Sequence, residues 1–261
     1  MYTISALYVY PIKSMAGIAL QSAQITETGF AFDRFWMLVD EGGQFITQRE
    51  FPIMALFKLQ FVEEGIEVTF NGESITVCKE PQGTENIECQ IWEDTLIALK
   101  EPSKISKWFS KHLGISVSLV RLADHSNRYV KRHAPAKVHF PDSSPYLVIG
   151  EASLHLLNEK LNNPVEMDRF RPNIVFHGGE PHDEDTWKRI QIGGSFFKST
   201  KACPRCTVTT INQRTGEQGE EPLVSLSKYR LKERKILFGN YFKNGDASGE
   251  SLKVGDKIII K

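Results

Sequence analysis

Cys203 and Cys206 stand three residues apart in Lys201-Ala202-Cys203-Pro204-Arg205-Cys206, which runs on into Thr207-Val208-Thr209-Thr210-Ile211. A thiol beside a fixed cation gives up its proton more readily, and the thiolate is the form that ligates soft metals or attacks electrophiles. Arg205 brings such a cation next to Cys206, where it would favour the thiolate or face a phosphate. The β-branched run predicts a strand over 206–211 with both cysteines at its mouth, and Gln213-Arg214-Thr215-Gly216-Glu217 predicts a turn after it. No other stretch joins soft donors to a preset charge so closely. Chemistry is expected here.

Other residues suited to binding fall at predicted strand ends or turns, where a scaffold presents side chains to a ligand. Lys13 and Ser14 end the first apolar run, Asp33 and Arg34 open another, and Thr47-Gln48-Arg49 and Arg169-Phe170-Arg171-Pro172-Asn173 add two more clusters. Arginine forks and lysine point charges suit phosphate oxygens, while serine and asparagine suit the edges of heterocycles. Read singly, each is more simply a surface ion pair, and spacing alone does not bring them together. Cys78 and Cys89 lie in alternating segments, where a free cysteine packs as a small hydrophobe. Four cysteines in 261 residues are too sparse for a disulfide scaffold. A zinc module would need two more donors beside Cys203 and Cys206. His125, His133, His139, His155, His177 and His182 lack the paired spacing to supply them.

The elements that must position these residues are mostly short strands, predicted over 2–10, 19–26, 35–39, 57–62, 66–70, 74–78 and 91–98. Asn71-Gly72 between two alternating runs is a hairpin signal, since both residues tolerate positive φ. A helix is predicted over 102–113, with Pro102 at its start, Gly114 at its stop and Ile105, Trp108, Phe109 and Leu113 as its apolar stripe. The basic, aperiodic stretch 122–140 reads as a long loop that divides the chain into domains 1–121 and 122–261. The second half predicts strands at 146–149, 173–176, 189–192, 195–199, 239–242 and 257–260, with helices at 151–161 and 223–231. Many strands with few isolated helices predict a mainly β, α+β fold of β-barrel type.

Lys plus Arg and Asp plus Glu are both 32, so the formal charge is zero and a bulk polyanion such as DNA is not the expected partner. The apolar N-terminus is too short, and too poor in leading basic residues, to read as a signal peptide. No apolar stretch nears the roughly 20 residues of a membrane helix. Cytoplasm is the default expectation.

Taken in order, Tyr10-Pro11-Ile12-Lys13-Ser14, Asp33-Arg34-Phe35-Trp36, Asp142-Ser143-Ser144-Pro145-Tyr146, Phe170-Arg171-Pro172-Asn173 and Cys203-Pro204-Arg205-Cys206 resemble the MOSC-domain proteins. The likeness is to the group that holds the mitochondrial amidoxime-reducing component and its bacterial relatives. It continues through Lys228-Tyr229-Arg230, Phe238-Gly239-Asn240-Tyr241 and Val254-Gly255-Asp256 to the C-terminus. The resemblance implies an N-terminal β-barrel-like domain packed against a MOSC β-barrel, with a molybdenum cofactor (molybdopterin) between them. It implies Cys206 as the catalytic thiolate and molybdenum ligand. Lys13, Ser14, Arg34, Arg171 and Asn173 match positions that hold the pterin and its phosphate, with Asp142, Ser143 and Ser144 in a nearby loop and Arg49 matching only loosely. Pyridoxal phosphate binding is a further family-level association.

The activity so implied is N-reductive detoxification: two-electron reduction of amidoximes, hydroxylamines and N-hydroxylated base analogues. Some relatives continue into an iron–sulfur domain, whereas this sequence stops at Lys261. Electrons are therefore expected from a separate iron–sulfur or haem protein and its reductase. The alternative is a cofactor-binding or sulfur-carrier protein that uses Cys206 without reductase activity.

Overall fold

The computed structural model describes the whole chain except residue 81, residues 131–134 and residues 246–248. His133, weighed above as a zinc donor, lies outside the described residues. The architecture is mainly β, with three α-helices among the described residues, Ser103–Leu113, Glu151–Asn158 and Leu223–Arg230.

Seven strands close a barrel in the order Tyr146–Gly150, Ile174–His177, Tyr2–Val9, Lys257–Ile260, Arg189–Ile192, Ser195–Pro204 and Lys235–Asn244, the last pairing back on the first. Closure leaves no open edge in this ring, which is how an all-β layer avoids unpaired backbone groups. Neighbours run antiparallel except Tyr146–Gly150 and Ile174–His177, which are parallel. A parallel pair needs a crossover, and the helix Glu151–Asn158 lies in that connection. Inside the barrel, Leu7, Val9, Tyr146, Val148, Ile174, Phe176, Ile190, Phe197 and Phe242 form one continuous apolar core.

The remainder of the first half builds a four-stranded sheet, ordered Trp36–Val39, Ser118–Leu122, Asp94–Lys100 and Glu85–Ile91, and a meander of Lys58–Phe61, Gly65–Phe70 and Glu73–Cys78. The meander turns at Asn71 and Gly72, whose φ values of 48° and 78° match the expected hairpin. The helix Ser103–Leu113 buries Ile105 and Phe109 against Phe57 and Phe70 and stops at Gly114 in the left-handed region. Cys89 is buried among Val39, Ile91 and Val120, and burial pushes its thiol up to about 11, as suits a small hydrophobe.

Two expectations are corrected. The single strand predicted over 91–98 is a hairpin, with Ile91 facing Asp94 across a two-residue turn. Trp92 in that turn is not a turn-forming residue, so apolar alternation ran straight through it. The strand predicted over 206–211 is a short 3-10 turn, Thr207–Thr210. Its threonines bond backwards, Thr209 Oγ1 to the Cys206 carbonyl at 2.9 Å and Thr210 Oγ1 to the Thr207 carbonyl at 2.8 Å, which competes with an extended ladder. Tyr2–Val9, from the first half of the chain, is a stave of the barrel formed otherwise by the second half. The stretch 122–140 also contains a small ladder between Arg128–Val130 and Ala136–Val138.

Candidate functional site

One rim of the barrel collects the chain ends that carry chemistry. Lys13 and Ser14 leave the strand Tyr2–Val9, Arg171 and Asn173 precede Ile174–His177, and Asp142 to Ser144 precede Tyr146–Gly150. Arg205 and Cys206 leave Ser195–Pro204, while Arg34 comes in from the approach to Trp36–Val39. Together these ten residues line a single solvent-open cleft. Its walls also hold Arg49, Arg169, Phe170, Thr209 and Tyr241. Ser14, Arg34 and Arg171 have φ values of 67°, 47° and 54°. Left-handed backbone at three non-glycine residues is a strain that the surrounding contacts must impose, and such strain concentrates at functional sites.

The cations are held tightly. Buried Lys13 donates to the Phe140 carbonyl at 3.0 Å and pairs with Asp142. Burial pulls its pKa down to about 8, with Asp142 opposing. Burial also works against the Asp142 carboxylate, but Lys13 and Arg49 more than offset it and hold Asp142 well below the usual carboxylate range. Arg34 donates to Asp33 Oδ2 at 2.6 Å, to Asn173 Oδ1 at 3.1 Å and to the Arg171 carbonyl at 3.2 Å. The guanidiniums of Arg34 and Arg171 both lie over the Tyr10 ring, at 4.2 and 4.3 Å from its centroid. Arg171 also donates to the Met15 carbonyl at 2.7 Å, and burial lowers its pKa to about 10. Asn173 spends its amide on the protein: Oδ1 accepts from Arg34 and from the Leu147 N–H, and Nδ2 donates to the Tyr8 carbonyl. Its place in the cleft is to fix Arg34.

The two sulfurs differ sharply. Cys203 is 1 % exposed, whereas Cys206 is open to solvent. Arg205 donates to Cys203 Sγ at 2.7 Å and also to the Phe170 carbonyl, so it is not the partner of Cys206 that sequence adjacency implied. On extended chain, residues two apart share a face and neighbours do not, which pairs Arg205 with Cys203. Arg49 takes the other place, with a guanidinium nitrogen 3.4 Å from Cys206 Sγ and 3.3 Å from Asp142 Oδ2. Behind Cys203, burial and then the Cys203 sulfur keep the Tyr241 hydroxyl protonated. Two buried wall atoms, Ser143 Oγ and Arg205 Nε, have no protein partner. Among the described residues no cluster of three or more His, Cys, Asp and Glu could hold a metal ion, so Cys203 and Cys206 have no companions there for a zinc site.

Arg49 matched the motifs only loosely, and its role emerges from a contact across 157 residues of sequence. Arg169 and Tyr241 sat inside segments already singled out, but nothing local distinguished them from their neighbours. Arg169 reaches the Thr209 carbonyl at 3.4 Å and so ties the Arg171 loop to the turn after Cys206.

A closed β-barrel whose rim gathers fixed cations around one exposed thiol defines the class: a β-barrel protein with a cation-lined cleft beside a solvent-open cysteine. Residues 1–116 match the MOSC N-terminal beta barrel domain and residues 135–259 the MOSC domain. The chain belongs to the MOSC-domain family. It is 33 % identical over 282 residues to mitochondrial amidoxime reducing component 2 of Rattus norvegicus, covering 98 % of this chain and 82 % of the relative. With the Homo sapiens protein of the same name it shares 31 % over 280 residues, at 98 % and 82 % coverage. It is also 30 % identical over 288 residues to a molybdenum cofactor sulfurase of Oryza sativa subsp. japonica, covering 98 % of this chain but only 35 % of that much longer protein. Among the described residues no helix is long and apolar enough to cross a membrane.

Proposed function

We propose that this chain binds a molybdenum cofactor in the rim cleft and reduces N-hydroxylated compounds such as amidoximes and hydroxylamines, with electrons from a separate carrier. The carrying observation is the pairing of one exposed thiol, Cys206, with a ring of fixed cations that includes Arg49, Lys13 and Arg171. The cleft residues suit the group. Cys206 offers the soft sulfur donor that molybdenum prefers. Lys13 and Arg171 offer charge to a phosphate, and Ser143 Oγ and Arg205 Nε offer buried polar atoms with no competing protein bond. When bound, the cofactor supplies the two-electron oxygen-atom chemistry, and the protein supplies binding, orientation and electrostatics.

The overall change consumes two electrons and two protons and turns N–OH into N–H and water. Arg49 sets a permanent positive charge at the Cys206 sulfur, and Asp142 holds Arg49 and Lys13 from the other side. Lys13 Nζ keeps its proton at neutral pH, since its pKa lies near 8. A cytoplasmic setting, with an iron–sulfur or haem carrier and its reductase, completes the proposal.

The test is metal content and turnover of the purified chain produced in a cofactor-competent host. Reduced viologen should support benzamidoxime reduction, while NADH or NADPH alone should not. Cys206→Ser should lose both molybdenum and turnover, and Cys203→Ser should keep its molybdenum, because Cys203 is buried against Arg205. Wild-type protein without molybdenum sinks the proposal. Full loading without turnover moves the reading to a sulfur carrier, which the exposed Cys206 and the likeness to the rice sulfurase also support.

A further inference from the structure

Trp92 occupies the two-residue turn between Glu85–Ile91 and Asp94–Lys100, with φ 55°. Tight hairpin turns favour Asn or Gly in this left-handed region, and a bulky side chain there is an outlier. The hairpin's own packing does not explain the choice. Cys89 and Ile91 fill the core beneath it, whereas the Trp92 side chain remains 45 % exposed. The indole instead stands against two residues of the cleft wall, Arg49 and Asp142. Phe45 backs it at a centroid distance of 5.0 Å, its Nε1 donates to Asp142 Oδ1 at 3.3 Å, and the Arg49 guanidinium lies over its ring at 4.8 Å. Because Arg49 also touches Cys206 Sγ at 3.4 Å, one guanidinium separates the indole from the sulfur.

We propose that Trp92 is the apolar wall that receives the substrate, selecting planar aromatic N-hydroxylated compounds over small aliphatic ones. This rests on the reductase reading above. Although Leu147, Phe170, Pro204 and Val208 also line the cleft, beside Cys206 the charged Lys13, Arg49 and Asp142 give no apolar surface to a substrate's carbon skeleton. Trp92 does, and it is already fixed in place. A flat ring pinned by a hydrogen bond at one edge, with the Arg49 guanidinium over it and Phe45 tilted against it, loses little further freedom when a second ring packs on its remaining exposed surface. The site so formed orders a substrate with its aromatic ring outward against Trp92 and its N–OH group inward toward Cys206.

The experiment compares wild type, Trp92→Ala and Trp92→Phe as intact molybdenum-loaded chains, with reduced viologen as donor and benzamidoxime and acetamidoxime as substrates. Trp92→Ala should lower kcat/KM for benzamidoxime about five- to tenfold and leave acetamidoxime within about twofold, while Trp92→Phe keeps most of the preference. Equal losses on both substrates would mean that Trp92 acts only by holding Arg49, and no loss on either would mean that it does not meet the substrate. Both results overturn the proposal. A second reading needs no turnover: benzamidoxime should quench tryptophan emission saturably in wild type and not in Trp92→Phe, since Trp36 and Trp187 are buried and the half-buried Trp108 packs against Phe57, Phe109 and His112 instead. Wild type inactive on both amidoximes sinks the reductase reading, and the quenching then decides the Trp92 wall by itself.

Discussion

Lys13 carries a cleft charge that ordinary buffers can remove. Burial brings its pKa to about 8 from the 10.5 of an exposed lysine. Below about pH 8 the native ammonium is charged, and above it the charge is lost. Asp142, held far below its usual range, stays ionised throughout that window. An anion in the cleft is therefore held best below pH 8. Affinity of the protein for inorganic phosphate should fall as pH rises through 8, by up to about tenfold per pH unit. Lys13→Arg, which does not titrate there, should flatten the profile. Calorimetric titration between pH 7 and pH 9.5 measures it, and a flat wild-type profile removes Lys13 from the anion site. The same shift has a stability sign. Between about pH 8 and 10.5 the unfolded chain holds more protons than the native one, so this group's folding penalty, complete below pH 8, is relieved as pH rises.

At the scale of elements, the crossover helix Glu151–Asn158 begins over a buried carboxylate. Glu184, fully buried, accepts from the Gly150 N–H at 3.4 Å and from Ser153 Oγ at 3.0 and 3.2 Å. The helix start and these donors favour the charged form, yet burial outweighs them and lifts the pKa to about 7. Native protein thus binds this proton more tightly than unfolded chain does. Stability from this group is present below about pH 4.5 and is lost as pH rises to about 7. Glu184→Gln keeps the shape and removes the charge. It should melt higher than wild type at pH 8, by about 1–2 kcal/mol of stability, and show no advantage near pH 4.5. Scanning calorimetry at the two pH values checks this, and a less stable variant at pH 8 would show that the carboxylate's charge is favourable where it lies.

At the scale of the whole molecule, two segments 165 residues apart are joined by a reciprocal amide pair. Gln48 Nε2 donates to Gln213 Oε1 at 3.2 Å, and Gln213 Nε2 returns a bond to Gln48 Oε1 at 3.0 Å. Gln48 precedes Arg49 and Gln213 follows the turn after Cys206, so the pair holds the cation and the sulfur in register. Gln48 also donates to the carbonyl of left-handed Ser14 at 2.7 Å. Both amides are buried. Gln213→Leu should leave the Gln48 amide incompletely bonded and cost about 1–3 kcal/mol, measured by urea unfolding with an unchanged m value. A variant as stable as wild type would mean that the two halves are aligned by apolar packing alone.

Some of this was legible before any coordinates. The Asn71-Gly72 hairpin and the Gly114 helix stop depend on the φ preferences of one or two residues, so the chain alone determines them. The ten candidate residues, marked by their motifs and by the likeness to the family, all line one cleft. Pairings across the molecule were not legible. Arg205 serves Cys203, Arg49 serves Cys206, and Asn173 is consumed in holding Arg34. Tyr2–Val9 closes a barrel built mainly from the other end of the chain. Trp92 turns a hairpin that its composition disguises as a single strand. Each of these depends on which strands neighbour one another and in what register, and sheet closure sets that from contacts spread over the whole chain. Local sequence therefore singled out the residues that gather at one cleft, and only the closed barrel decided which of them touch.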